Sequence, residues 1–524
     1  MSRPGLTPLL GLAAALLAAP TPSQEAASRG PDPRPPTSLL IRGARVIDGS
    51  GAPAFDGDVR VADGDVVAIG ELAPIPGEPV VDAAGLVLAP GFIDTHSHHD
   101  VGLDAHPQAL AVISQGITTI VVGQDGTSNS PLATWFQHLE ESPPAVNVAS
   151  YTGHGSLRRA VMGGDYARHA TAEEILRMRE ILRREMESGA LGLSTGLNYD
   201  PGLYASSEEV IALAEQAAAY GGRYISHLRS EDRDFWRAVE EIIEIGRRTG
   251  IPVQISHTKL AMKSLWGQAH RLIERLDLAR AEGVDITADL YPYVHWQSSM
   301  TLLFPRRNFG DLDEARFVLA EIVPADGIVL ARFGANRDYV GRTLAAIAAE
   351  RGTTPEQTLL DLLAEALHWE RQTGHDGESI MAQAMDPADV AVLLAWPHAN
   401  LCTDGGLGGR HPRGFGAFPK FLAEHGPRVG GLDLETAVHK VSGLAAAHVG
   451  LRDRGLVRPG FRADLVLFDP DTIAPAATFE QPQLPAVGIA GVWVNGVRVW
   501  AEGGWTGERP GAVVLGPGAR PPSP

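Results

Sequence analysis

The sequence predicts an α/β fold in which a (β/α)8 barrel is joined to a small β-sandwich domain built from both chain ends. Three observations predict it. Strand-like and helix-like segments alternate from about residue 89 to 443, and alternation of this kind over such a length builds a parallel sheet that closes into a barrel. Short runs bounded by Gly or Asp fill residues 38–88, and the same grammar returns over 444–512, as expected for two pieces of one β domain. The chain has 524 residues, 44% of them hydrophobic, which suffices for one large core and a smaller one beside it.

Taken in order, residues 1–24 read as a signal peptide. Arg3 precedes an apolar run over residues 9–19, and Pro20 to Ser23 end it. The run is shorter than the roughly 20 residues a membrane span needs, and export to the periplasm or medium is the expectation. Residues 25–37 form a Pro-rich linker. The first β segment contains Leu39-Leu40-Ile41-Arg42 before Gly43, and Asp58-Val59-Arg60-Val61. In the barrel, strand candidates at 118–122, 190–194, 223–227, 253–257 and 284–289 are separated by helical text at 172–187, 207–220, 234–249 and 267–282. Ser206 is a suitable N-cap for the second helix. Residues 301–385 read mainly as helix and are expected to be an insertion covering the top of the barrel. Strands at 463–468 and 491–497 complete the β domain, the second carrying the Asn495-Gly496 turn signal.

Charge and cysteine content narrow the function. The formal net charge is −19, which disfavours nucleic acid and anionic membranes as partners. Cys402 is the single cysteine, so no internal disulfide and no cysteine-based zinc module can form. Any metal must be held by histidine and carboxylate.

The densest local signal is Gly91-Phe92-Ile93-Asp94-Thr95-His96-Ser97-His98-His99-Asp100. Alternation along a strand puts His96 and His98 on one face and His99 on the other. His227 and His257 each follow a β-branched residue and a serine, one βα unit apart, in Ile225-Ser226-His227 and Ile255-Ser256-His257. Neighbouring strand ends lie side by side at the catalytic face of a barrel, so four histidines converge there. Asp404 ends an apolar approach and precedes Gly405-Gly406. Zinc takes nitrogen and carboxylate oxygen and lowers the pKa of water from about 15.7 toward 7. A carboxylate beside it can move the water proton to a leaving nitrogen, and Asp404 suits that role.

These residues belong to motifs that resemble the amidohydrolase superfamily and, within it, the N-acyl-D-amino-acid deacylases (D-aminoacylases). The motifs are APGFIDTHSH, SGALGLSTGLNYDPG, YISHLRSE, VQISHTK, ADLYPY, TDGGLGGRHPRGFG and GLVRPGFRADLVLFDP. They run in family order through nearly all of the chain after residue 38. The resemblance implies one or two zinc ions, with His96 and His98 as one ligand pair and His227 and His257 as the other. It implies Asp404 as the catalytic carboxylate, and Lys259, Arg413, Tyr199, Tyr293 and Ser299 as substrate-binding residues. One position departs from the family. Where D-aminoacylases commonly carry a cysteine ligand in a GNCG-like turn, this chain reads Gly123-Gln124-Asp125-Gly126. Asp125 is then either a harder, bridging ligand or only a turn residue, which leaves open one metal or two.

The expected activity is hydrolysis of the linear amide of N-acyl-D-amino acids, a small-molecule substrate class, to a carboxylate and a free D-amino acid. A dipeptidase or a cyclic-amide hydrolase of the dihydropyrimidinase or hydantoinase kind on the same scaffold is the alternative. The preference for D substrates comes from the resemblance alone, and oligomeric state is not encoded in any motif.

Overall fold

The computed structural model describes residues 38–429, 431–501 and 503–520. The expected signal peptide and linker lie outside the described residues. Among the described residues no helix is long and apolar enough to cross a membrane.

Parallel strands form the central barrel. One run is ordered Phe92–Asp94, Ile117–Val122, Asn147–Ser150; the other is ordered Thr152–Gly153, Gly192–Gly196, Arg223–His227, Val253–Ile255, Ile286–Leu290, Ala399–Leu401. The two runs join at both edges. Leu191 N–H donates to Ser150 O at 2.9 Å, and Asp404 N–H donates to His96 O at 2.9 Å. The strands are buried on both sides, as a parallel sheet covered by helices requires. Helix Ala172–Glu187 starts in a capping box made by Thr171 and Glu174, which satisfies two otherwise orphaned backbone donors. Helix Phe235–Thr249 turns Val239, Ile242, Ile243 and Gly246 inward and stops at Gly250, whose φ of +67° is cheap only for glycine.

Strands from both chain ends share one nine-stranded sheet, in which Leu465–Phe468 pairs antiparallel with Val87–Pro90. The β domain is therefore continuous in hydrogen bonds although interrupted in sequence.

The segment expected as a helical insertion over 301–385 differs from that expectation. It does hold helices Leu312–Phe317, Leu344–Arg351 and Pro355–Thr373, but it also builds a three-stranded antiparallel sheet from His295–Ser298, Glu378–Gln383 and Ile328–Phe333. The insertion also has its own core, including Phe304, Ile328, Leu330, Phe333, Leu359, Leu363 and Ile380. Ile328–Phe333 and Glu378–Gln383 are six residues each, and short apolar runs beside long helices carry no periodicity that separates strand from helix.

Candidate active site

The four histidines meet at the end of the barrel where the strands finish. His96 and His98 lie beyond the strand Phe92–Asp94, and His257 lies beyond Val253–Ile255 with a φ of +32°. They are thus delivered by the turns that leave the strands, not by strand alternation itself. His96 and His257 ring centroids are 4.9 Å apart, and those of His227 and His257 are 4.6 Å apart. His99 points away, as expected, with Nδ1 3.7 Å from Asp94 Oδ2.

Asp125 sits between the histidines. Its Oδ1 is 3.6 Å from His96 Nε2 and 3.5 Å from His257 Nε2, while Oδ2 is 3.4 Å from His98 Nε2. The turn that aims it is tightly constrained. Gly123 has a φ of +74°, and a Cβ there would lie 2.2 Å from Tyr151 O, so only glycine fits. Asp125 itself is left-handed, with a φ of +53°, a conformation that Asp tolerates better than most residues.

Two donor sets result, His96–His98–Asp125–Asp404 and Asp125–His227–His257, each with its ligand atoms within 4.8 Å of one another. Several of these atoms have no other role. His96 Nδ1 and Nε2, Asp125 Oδ1 and His227 Nε2 are buried without a hydrogen-bond partner, an expensive arrangement unless something else satisfies them. Nitrogen and carboxylate donors converging in this way suit a zinc ion, and the shared carboxylate suits a pair. The electrostatics agree. Burial alone would lower the His98 pKa, but Asp125 and Asp404 outweigh it and lift it to about 10. A field that strong toward positive charge also draws a metal cation.

Asp404 faces two ways. Oδ1 lies 3.4 Å from His98 Nε2 and 3.8 Å from His96 Nε2. Oδ2 lies 2.8 Å from Arg413 Nη1, an ion pair whose angles fall outside hydrogen-bond geometry. Burial would raise the Asp404 pKa, but Arg413 and the neighbouring imidazoles hold it well below the usual carboxylate range. The residue has a φ of +46°. Its neighbour Thr403 is tied to the buried Asp94 by donation from the backbone N–H at 2.9 Å and from the hydroxyl at 2.5 Å.

The expected substrate-binding residues are only partly brought together. Arg413 is buried, with its guanidinium 4.6 Å from the ring centroid of Tyr291. Lys259 reaches the cluster, donating to Glu231 Oε1 at 2.6 Å with Nζ 2.7 Å from His257 Nδ1. The strand has already ended at Ile255, so Lys259 and His257 meet through the following turn and not through a shared strand face. The Tyr199 ring is 4.4 Å from that of His227. Tyr199 and Ser299 line a cavity of about 500 Å³ beside the cluster, where the Ser299 hydroxyl donates to the buried Glu378 at 2.5 Å. Tyr293 is placed apart, against His411, with Lys420 5.3 Å from its ring centroid. Tyr291 takes the place under Arg413.

Three further residues belong to the site without having been expected there. Glu231 engages Lys259 and lies 3.3 Å from His257 Nδ1 and 3.7 Å from His227 Nε2. Asp289 accepts from the His257 backbone N–H at 2.6 Å and from Gln254 at 2.5 Å, and it stands 4.0 Å from His96 Nδ1. Tyr291 is the third. Each lies within a recognised motif (YISHLRSE or ADLYPY), but a carboxylate or a tyrosine near a strand end does not reveal which neighbour it faces.

Comparisons with known proteins agree with this geometry. The Amidohydrolase family model matches residues 79–325 and 341–500. The chain is 36% identical to a D-aminoacylase of Alcaligenes xylosoxydans xylosoxydans, covering 91% of this chain and 98% of that protein. It is 38% identical to an N-acyl-D-aspartate deacylase of the same organism, covering 92% and 95%. The crystal structure of an N-acyl-D-glutamate deacylase from Bordetella bronchiseptica, complexed with zinc and a phosphonate mimic of the tetrahedral intermediate, superposes with a TM-score of 0.81 at 34% identity, covering 91% of this chain and 99% of that one. With its barrel, its shared histidine and carboxylate donor sets and this similarity along nearly all of its length, the chain belongs to the amidohydrolase family, in the branch of the D-aminoacylases and N-acyl-D-amino-acid deacylases.

Proposed function

We propose that this protein hydrolyses the amide bond of N-acyl-D-amino acids, releasing a carboxylate and the free D-amino acid. The observation that carries the reading is the placement of Asp404, with one oxygen toward the metal-ligand set and the other held by Arg413. His96, His98, Asp125, His227 and His257 are the residues that would hold zinc. When bound, zinc supplies Lewis acidity that activates water near neutral pH and polarises the acyl oxygen.

Asp404 accepts the proton of the attacking water at Oδ1 and returns it to the leaving nitrogen, while Arg413 keeps Oδ2 fixed and the carboxylate ionised. The tetrahedral carbon then collapses with cleavage of the C–N bond. Lys259 and Arg413 bind the α-carboxylate of the substrate, with Tyr199 and Ser299 closing the neighbouring wall. Each cation already has an internal carboxylate partner, so the substrate joins a network that is pre-organised and does not have to assemble one. Fixing the acyl group, the α-carboxylate and the side chain defines three points around the α-carbon, which is the minimum for choosing D over L. The apolar run near the N-terminus supports export of the enzyme.

The test is a panel of N-acetyl-D- and N-acetyl-L-amino acids, D-dipeptides and hydantoins, assayed on protein whose zinc content has been measured. Turnover of acetyl-D-amino acids well above the other classes is expected. Preferential turnover of hydantoins or dipeptides would replace the reading by the cyclic-amide or dipeptidase alternative.

A further inference from the structure

The turn that carries Arg413 is held from outside the barrel. Residues 405–412 lead from Asp404 to the helix Arg413–Glu424, and four of them are glycine, so this loop has little stiffness of its own. Its base is tight, since a Cβ on Gly405 would lie 2.6 Å from Gly414 Cα. Arg413 is the first residue of the helix, and the N-cap residue Pro412 supplies no side-chain cap. The guanidinium is no better tied. Nη1 is buried without a hydrogen-bond partner. Its 2.8 Å approach to Asp404 Oδ2 depends on the Tyr291 ring 4.6 Å from the guanidinium and on where the backbone of residue 413 stands.

His411 sets that backbone. It is buried, and both of its ring nitrogens are engaged. Nδ1 accepts from the Arg413 backbone N–H at 3.0 Å, satisfying a helix-end donor that Pro412 leaves open. Nε2 lies 3.1 Å from the His295 carbonyl, and because a carbonyl only accepts, Nε2 carries the proton and donates. The His411 backbone N–H donates to Gln297 Oε1 at 3.1 Å. His295 and Gln297 both belong to the strand His295–Ser298 of the inserted sheet. The two ring partners select one neutral tautomer, and burial, helped by the Arg413 charge, holds the imidazole pKa well below its ordinary range. The ring packs edge-on against Tyr293, with centroids 5.2 Å apart, and against Phe479 at 5.5 Å; Phe479 lies 4.6 Å from His295 in turn.

We propose that His411 is a positioning residue: through it the inserted sheet fixes the backbone of Arg413, and through Arg413 the orientation of the Asp404 carboxylate. It lines the same cavity of about 550 Å³ as Asp404 and Arg413, but its ring has no donor or acceptor left for a substrate. The catalytic centre is therefore complete only when the inserted strand is seated on the glycine-rich loop. A misplacement of about 1 Å that starts away from the reacting atoms can cost about 100-fold in rate. The role rests on the deacylase activity proposed above only for its kinetic test.

The experiment compares the parent enzyme, H411F, H411N, R413Q and H411F/R413Q on one N-acetyl-D-amino acid, each loaded with equal zinc and assayed below its Tm. H411F keeps a ring but loses both hydrogen bonds, and its kcat/KM is expected to fall about 10- to 100-fold. H411N, whose amide oxygen can take the Arg413 N–H, recovers part of that loss. A residue that acts through Arg413 has nothing left to lose once Arg413 is gone, so H411F should cost under about 2-fold more in the R413Q background. A merely structural His411 would lower Tm and leave kcat/KM of the folded, zinc-loaded chain unchanged. That result, or the full H411F loss recurring in R413Q, overturns the proposal. If H411F does not fold, H411N and H411N/R413Q carry the same comparison with a smaller expected loss. The crystal structures of H411F and H411N give a readout independent of turnover. Arg413 Nη1 is expected to have left its contact with Asp404 Oδ2 in H411F, and a guanidinium still at the parental position overturns the proposal. A parent that hydrolyses no N-acetyl-D-amino acid would overturn the deacylase reading alone, and the variant structures would still decide the role of His411.

Discussion

Replacing Asp404 with Asn removes the carboxylate charge while keeping shape and backbone. The choice of Asn matters, because residue 404 has a φ of +46° and Asn is among the few residues that accept a left-handed conformation cheaply; Ala would add backbone strain to the chemical loss. General-base transfer contributes about 10²- to 10⁴-fold to rate, so kcat of D404N should fall by that factor, equivalent to about 3–5 kcal/mol of barrier. A second effect follows from the structure. Asp404 Oδ2 is 2.8 Å from Arg413 Nη1, with side chains 9% and 6% exposed, and breaking a buried pair by removing one charge costs about 3–5 kcal/mol. D404N should therefore also lower Tm. The double variant D404N/R413Q removes the stranded guanidinium and should regain stability without regaining kcat, which separates chemistry from folding. The assay is steady-state hydrolysis of the best N-acetyl-D-amino acid, with zinc quantified and Tm measured on each variant. D404N that keeps more than about a tenth of parental kcat at full zinc occupancy would refute the role given to Asp404, since even the low end of the general-base range is about 10²-fold.

Other predictions address the metal, the substrate carboxylate and pH. D125A should bind less zinc per chain, measured by elemental analysis after dialysis, because Asp125 belongs to both donor sets; unchanged stoichiometry would make Asp125 only a turn residue. K259M should raise KM roughly 10- to 100-fold with a smaller change in kcat, and adding E231Q should restore the stability that the unpaired Glu231 costs; a change confined to kcat would argue against carboxylate binding. Burial pushes the Glu378 pKa up to about 7, against the hydrogen bonds from Ser299 and Met300 that oppose the rise. Because the folded value is raised, its contribution to stability is fully present below about pH 4.5, the ordinary carboxylate value, and is lost as pH climbs to about 7. Tm of E378Q should accordingly gain on the parent through that window, by up to roughly 3 kcal/mol in stability; a constant difference across the window would contradict it.

Much of the site was legible in the sequence because its residues sit in short motifs at strand ends. His96 and His98 are two apart after an apolar run, and His227 and His257 repeat one pattern a βα unit apart. That arrangement requires no knowledge of contacts beyond the rule that adjacent parallel strands end side by side. Tyr293 and Tyr291 show where this stops. Both lie in Tyr291-Pro292-Tyr293, where strand alternation would send them to the same side, but the strand has ended at Leu290 and only Tyr291 lies against Arg413, a parting that nothing local encodes. Glu231 and Lys259 are 28 residues apart in the chain, so their pairing appears only once two barrel strands are neighbours.

The sequence by itself determined the alternation that builds the barrel, the division of the β domain between the two chain ends, and the inventory of metal-ligating residue types, because each depends on periodicity or spacing within one segment. Tertiary structure alone decided which charges cancel. Arg413 with Asp404, Lys259 with Glu231, and the exposed Arg332 with Asp376 differ in distance and burial, not in residue type. It also decided that the insertion is part sheet. A bulge between Leu330 and Arg332 puts Arg332 opposite Ser379, where unbroken pairing would put it opposite Glu378, and such register is set by pairing with a strand some 50 residues away, here Glu378–Gln383.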